Sequence, residues 1–201
     1  MSKLLLIDGH AILHRAYHAL PPNFTAPDGT QTNAVFGFTN MLLRLISDLK
    51  PTHLVVAFDL PQPTFRQQLY TGYQGKRPDM EGNLKEQIPL VHELLDALKI
   101  KYFEVGGFEA DDVIGTIAWQ VTNGTIDNRR LKIVAEDRKS KMEKKKQSSN
   151  FDSQPLSSTL DHLSSNVEVV IVTGDRDMLQ LVNDHVKVMV PVRGLSESKM
   201  Y

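Results

Sequence analysis

Acidic side chains stand at recurring places in this sequence. Asp8 follows directly on the apolar run 4–7, Asp59 on the run 54–58, and Asp175 and Asp177 lie just past 167–172. Glu109, Asp111 and Asp112 open an apolar-periodic stretch that comes after the run 102–105. If these runs are strands of one open, mostly parallel sheet, their carboxyl ends meet the crevice where such sheets bind ligands. Carboxylates gathered there repel each other and need a compensating charge to remain ionised. Oxygen-only ligands select a hard cation, Mg2+ or Mn2+, and the chain has no cysteine to offer a softer donor. Two such ions ~4 Å apart form a clamp suited to phosphodiester cleavage. Taken singly, the same acids are ordinary. A lone Asp after a strand is a turn residue, and Glu109 to Asp112 suit the first turn of a helix as caps and dipole partners. Their joint placement is what predicts a metal centre.

Alternating strands and helices must position these acids, and the hydrophobic pattern supplies them. The runs 4–7 and 54–58 read as strands buried on both faces, 102–105 and 167–172 as further strands, and 186–190 as another. Residues 9–20 read as a helix stopped by Pro21-Pro22. Phe38, Met41, Leu42, Leu45, Ile46 and Leu49 recur at the spacing of one buried helical stripe, ended at Lys50-Pro51. Further helices are predicted over 84–98, from Ala110 through Val121, and over 178–182. The fold class is therefore α/β, a mostly parallel central sheet flanked by helices. Two stretches depart from this pattern. Residues 60–83 interleave Phe65, Tyr70 and Tyr73 with Arg66, Lys76 and Arg77; residues 123–166 contain a lysine-rich run and then a serine-rich one. The second reads as a solvated insertion that adds little to the core, with 131–135 a weaker strand inside it.

Composition narrows the function. The 201 residues are 41% hydrophobic, enough for one large domain or two small ones. With 24 acids against 23 bases, no global positive field advertises a nucleic acid, so such a partner must be held by local charge. The absence of cysteine excludes a disulfide framework and fits a reducing compartment. No apolar run approaches the ~20 residues of a membrane span, and residues 1–7 are too short for a signal peptide, so a cytoplasmic location is expected. Gly72 to Lys76 lacks the spacing of a phosphate-binding loop, which argues against nucleoside triphosphate hydrolysis. His10, His14 and His18 fall at i, i+4 and i+8; a zinc stripe is the less favoured reading beside a half-exposed helix face.

Six motifs stand in order: Leu5-Leu6-Ile7-Asp8-Gly9-His10, Thr32-Asn33-Ala34-Val35-Phe36-Gly37-Phe38, Phe58-Asp59, Phe65-Arg66, Glu109-Ala110-Asp111-Asp112-Val113 and Thr173-Gly174-Asp175-Arg176-Asp177. Together they closely resemble the N-terminal 5′→3′ exonuclease domain of bacterial DNA polymerase I, of the flap endonuclease and PIN-like nuclease family, over residues 3–122 and 167–201. The resemblance implies one 5′ nuclease domain across 1–201, with an arch at 60–83 and the insertion at 123–166. It implies two Mg2+ or Mn2+ ions and hydrolysis of DNA with 5′ flaps, nicks or single-stranded 5′ ends, in a chain that also carries a polymerase. By motif match, Asp8, Asp59 and Asp111 would hold the first ion and Asp175 and Asp177 the second, with Glu109 and Asp112 acting through metal-bound water. Arg15, Arg66, Lys76 and Arg77 would meet phosphates, and Tyr70 and Tyr73 bases. Three departures carry expectations. The family continues into a helix–hairpin–helix and a further Gly-Asp-x-x-Asp pair, whereas this sequence ends at Tyr201, which predicts a weakly filled second site and low DNA affinity. Gln74 stands where the family has a lysine aimed at the scissile phosphate, with Lys76 close by. The stretch 123–166 is far longer than the family's connection. The alternatives are a non-catalytic DNA-binding remnant and a PIN-type ribonuclease; the arch and the Glu-Ala-Asp-Asp motif argue against the ribonuclease.

Overall fold

An unbroken apolar run has no polar face to turn to water, so it is stable in a sheet only when both sides are covered. In the computed structural model, which describes residues 2–70, 72–75, 80–123, 167–193 and 197–201, the four runs become β1 (Ser2–Asp8), β2 (His53–Phe58), β3 (Lys101–Glu104) and β4 (Val167–Val172). With β5 (Val186–Arg193) and β6 (Glu197–Met200) they form one six-stranded sheet in the order β3-β2-β1-β4-β5-β6. The pairs through β5 are parallel and β6 is antiparallel to β5. The expected mostly parallel α/β sheet is present. β6 (sequence Glu-Ser-Lys-Met) has no counterpart in the hydrophobic pattern, because an edge strand is held by its ladder and not by burial on two faces.

Alternation along each strand divides the core in two. Leu4, Leu6, Val55, Ala57, Val169 and Ile171 pack under α5 (Ala110–Thr122), through Ile114, Ile117 and Val121. Leu5, Ile7, Val56, Phe58, Val170 and Val172 face α1 (Gly9–Ala19), α2 (Asn33–Leu49) and α4 (Gly82–Ala97). In the α2 stripe, Phe38, Met41, Leu42 and Leu45 are buried, while Ile46 and Leu49 are partly buried against them. Burying each such side chain stabilises the fold by roughly 1.5–3 kcal/mol before entropy is counted.

Two local devices bring α1 and α2 to the sheet. No loop separates β1 from α1. Asp8 ends the strand and caps the helix, its Oδ1 accepting the Ala11 N–H at 3.0 Å. A Cβ on Gly9 would come within 2.3 Å of the Phe58 ring, so only glycine lets the chain turn this tightly over β2. α2 lacks a side-chain cap from Thr32. Its first-turn N–H groups on Ala34 and Val35 donate instead to Oε1 of buried Gln87 on α4, at 2.9 and 3.3 Å, while Gln87 Nε2 donates to Asn33 Oδ1 at 3.0 Å. Gln87→Leu is expected to lower stability by about 2 kcal/mol, since it strands one buried and one part-buried donor. The check is a denaturation midpoint that falls with an unchanged slope; an unmoved midpoint would show the network to be dispensable.

Elsewhere the expectations shift in detail. The predicted helix at 178–182 is a 3₁₀ helix over Arg176–Leu181. Within 60–83 the chain forms α3 (Phe65–Leu69), which contains no buried residue and so leaves no apolar stripe to read. Residues 124–166, including the weaker strand 131–135, lie outside the described residues, as do Lys76 and Arg77. Among the described residues no helix is long and apolar enough to cross a membrane.

Candidate active site at the carboxyl end of the sheet

Strand order reverses at β1, whose neighbours β2 and β4 are reached in opposite directions across the sheet. In open parallel sheets such a switch point opens a crevice at the carboxyl ends of the strands. Asp8 is the last residue of β1, Asp59 directly follows β2, and Asp175 lies three residues beyond β4. Parallel pairing of these strands puts all three at one edge.

Each acid is held by its own bonds. Asp8 is only 7% exposed, with Oδ1 accepting from Ala11 N–H and Oδ2 accepting the Thr173 hydroxyl at 2.8 Å. Burial pushes its pKa up to about 6; those two hydrogen bonds work against the rise, and the charges of Asp59 and Asp175 add to it. Asp59 Oδ1 accepts the Ala110 N–H at 2.7 Å, which docks α5 onto the end of β2, and the Asp59 N–H donates to His10 Nδ1 at 3.0 Å. Asp175 Oδ1 accepts the Asp177 N–H at 2.8 Å, starting the 3₁₀ helix. Asp111 is pushed up to about 7, first by burial and then by the charges of Asp8, Asp175, Asp59 and Glu109. Four strand-end and helix-start carboxylates therefore act on one another across the crevice.

The Glu-Ala-Asp-Asp motif serves two purposes, because neighbouring helical residues point about 100° apart. Asp111 joins the crevice acids. Asp112 turns to Arg66, which donates to both its oxygens at 2.6 Å and to Glu109 Oε2 at 3.3 Å. Burial works to raise the Asp112 pKa, but the Arg66 guanidinium and the Glu109 N–H outweigh it and hold the carboxyl below its usual range. Tyr73 and Gln74 also reach Glu109, the hydroxyl at 3.2 Å and the amide at 3.4 Å. Asp112 also accepts the Glu109 N–H at 3.1 Å, so the capping role open to this motif is real for Asp112 and coexists with the ion pair.

The donor set at the crevice is oxygen-only, the chemistry of a hard-cation site. Among the described residues, no three His, Asp or Glu side chains are already gathered as a metal cage. The hydrogen bonds to Asp8, Asp59 and Asp175 nonetheless leave lone pairs on each carboxylate, which has about four acceptor positions. Mutual repulsion among these carboxylates, with Asp8 buried beneath the more open Asp59 and Asp175, favours a cation there.

A family model, "5′-3′ exonuclease, N-terminal resolvase-like domain", matches residues 3–142. The chain belongs to that family. It is 36% identical over 195 residues to DNA polymerase I of Mycobacterium leprae, covering 96% of this chain and 17% of that protein. Against DNA polymerase I of Bacillus caldotenax it is 34% identical over 200 residues, covering 100% and 18%. The chain thus spans less than a fifth of the length of the curated relatives it matches. In fold it resembles a zinc-bound T5 5′-exonuclease (TM-score 0.55, 16% identity, 94% of this chain and 55% of that one). A bacteriophage T5 flap endonuclease complexed with DNA and metal ions gives a TM-score of 0.53 at 15% identity, over 94% and 54%. The mostly parallel sheet with flanking helices is that of these 5′ nuclease domains.

Of the residues singled out in the sequence, Asp8, Asp59, Asp111 and Asp175 come together, with Glu109 at their margin. Asp177 is exposed on the 3₁₀ helix, Arg15 half-buried on α1, and Tyr70 exposed where α3 ends. The histidine stripe divides: His10 turns to Asp59, whereas His14 and His18 face each other, Nε2 to Nε2, at 3.1 Å. Two polar contacts of the site went unread in the sequence, the His10 bond to Asp59 and the Thr173 bond to Asp8. Both residues stand inside quoted motifs, so adjacency to a crevice acid was the available signal.

Proposed function

We propose that this chain is the nuclease module of a DNA polymerase I-type protein, a 5′→3′ exonuclease and flap endonuclease that uses two Mg2+ or Mn2+ ions. The observation that carries the reading is the electrostatic convergence of Asp8, Asp59, Asp111 and Asp175 at the switch point of the sheet. Family membership and the DNA and metal ions in the T5 structures support it. Asp8, Asp59 and Asp111 hold one ion, and Asp175 with Asp177 the other. When bound, the ions supply Lewis-acid and water-activating chemistry at the phosphodiester. Arg15, Arg66, Lys76 and Arg77 bind phosphate oxygens, the guanidinium of each arginine engaging two at once. Tyr70 and Tyr73 present rings on which unpaired bases stack. Arg66 is anchored through Asp112 beside the crevice, so it enters the site pre-oriented.

The test is cleavage of a 5′-flap DNA with Mg2+, with Mn2+ and with chelator. Cleavage that needs the ion and falls on the order of 100-fold in Asp175→Ala is expected, since a metal supplies several kcal/mol of transition-state stabilisation. DNA binding without cleavage in either ion would favour the non-catalytic module. Preferential cleavage of RNA would favour the PIN-type ribonuclease.

A further inference from the structure

Thr173 stands between two loops that carry crevice acids. It follows β4 directly and is 0% exposed. Its hydroxyl donates to Asp8 Oδ2 at 2.8 Å and accepts the Asp175 N–H at 3.0 Å. The second bond is an ordinary local turn contact, of the kind threonine makes two residues on in many loops. The first is not local, because it crosses from β4 to the end of β1. A hydroxyl has one proton to give. Giving it to Asp8 fixes the rotor and leaves a lone pair facing the Asp175 N–H, so the two bonds reinforce one geometry.

The effect on Asp8 is specific. Its other oxygen already accepts the Ala11 N–H at 3.0 Å. With one donor on each oxygen, the carboxylate plane is set from both sides, and the remaining lone pairs are directed by Ala11 and Thr173 together. Packing alone does not call for a hydroxyl at a fully buried position, because valine has nearly the same shape and no polar atom to satisfy.

Building on the metal-dependent nuclease reading, we infer that Thr173 is a positioning residue that orients the Asp8 carboxylate and locks it to the Asp175 loop across the β1–β4 boundary. It touches neither ion nor DNA. It sets the geometry at which carboxylates on two different strands meet a divalent ion.

The experiment titrates Mn2+ by calorimetry into the full chain, into Thr173→Val and into Thr173→Ser, with thermal midpoints and 5′-flap cleavage measured alongside. Losing an outer partner of a metal ligand weakens metal binding roughly 10–100-fold, and that loss is expected for Thr173→Val. Its kcat should fall at saturating DNA while KM for DNA stays level. Thr173→Ser keeps the hydroxyl and should bind Mn2+ within about threefold of the unaltered chain. If Thr173→Val does not fold, Thr173→Ala takes its place in the same comparison. Mn2+ affinity unchanged in the hydroxyl-free variant overturns the inference, even if the melting temperature drops, because threonine would then be a turn former only. Serine failing as badly as valine overturns it too, since the methyl group would be the part that matters. An unaltered chain that takes up no Mn2+ sinks the metal-dependent reading itself; an unaltered chain that binds Mn2+ beside an equally avid valine variant sinks only the role of Thr173.

Discussion

Asp8→Asn is expected to make the metal-free chain more stable near pH 8 while abolishing its divalent-ion binding and its nuclease activity. Burial pushes the Asp8 carboxyl from 3.8 up to about 6. A folded-state pKa above the unfolded one means the folded chain binds the proton more tightly. The stabilising contribution is therefore fully present below about pH 4 and lost as pH rises through about 6. Above that, the ionised group costs about 3 kcal/mol relative to its protonated form. Asp111, pushed up to about 7, moves in the same direction at slightly higher pH. Asparagine carries no charge, can still cap α1 through Oδ1, and offers an amide to the Thr173 hydroxyl. It has lost the charge that would hold an ion in the proposed metal site. Melting temperatures of both chains at pH 5 and pH 8, in chelator and in Mn2+, test this. The unaltered chain should lose stability between the two pH values in chelator and recover it with Mn2+ at pH 8. The Asn chain should lose less, because Asp111 still titrates in that window, and should ignore the metal. A variant that is less stable than its parent at pH 8 in chelator, or that still binds Mn2+, would contradict the argument.

Arg66→Ala should cost on the order of 1–2 kcal/mol of stability, between the exposed and the buried limits for an ion pair, and most of the nuclease activity. The guanidinium makes two bonds of 2.6 Å to Asp112 and a third to Glu109, and it lies 4.7 Å from the Phe65 ring. Both partners are partly buried. Removing one partner of such a pair leaves the other charged and half-desolvated, which costs more than the pair contributed. Lysine keeps the charge but not the two parallel bonds, so Arg66→Lys should fall between alanine and the unaltered chain. A double-mutant cycle with Asp112→Ala isolates the interaction. A coupling of at least 1 kcal/mol is expected. Strictly additive losses would show that the two residues act independently.

Much of this architecture could be read from the sequence, for definite reasons. A strand covered on both faces is mostly apolar, so 4–7, 54–58 and 167–172, where Glu168 is the one charged residue, announced themselves, as did α2 through its stripe. α3 and β6 did not, because nothing about them is buried on a regular period. The crevice acids were legible because chain direction in a parallel sheet puts every strand's carboxyl end on the same edge. Glu109 and Asp112 were harder to place. Sequence spacing shows that Asp111 and Asp112 diverge on a helix, but not which of them meets Arg66 from a segment 43 to 46 residues away.

Type, order and spacing of residues thus determined by themselves the α/β class, the oxygen-only chemistry and the resemblance to a 5′ nuclease, since each follows from local pattern. Only the tertiary structure decided that β1 lies between β2 and β4, because strand neighbours are chosen by packing and not by chain order. That choice puts Asp8 beside Asp175, raises the pKa of Asp8 and Asp111 through burial and shared charge, and brings the Thr173 hydroxyl to a carboxylate 165 residues away. Burial and close approach are properties of the folded interior, and no local pattern contains them.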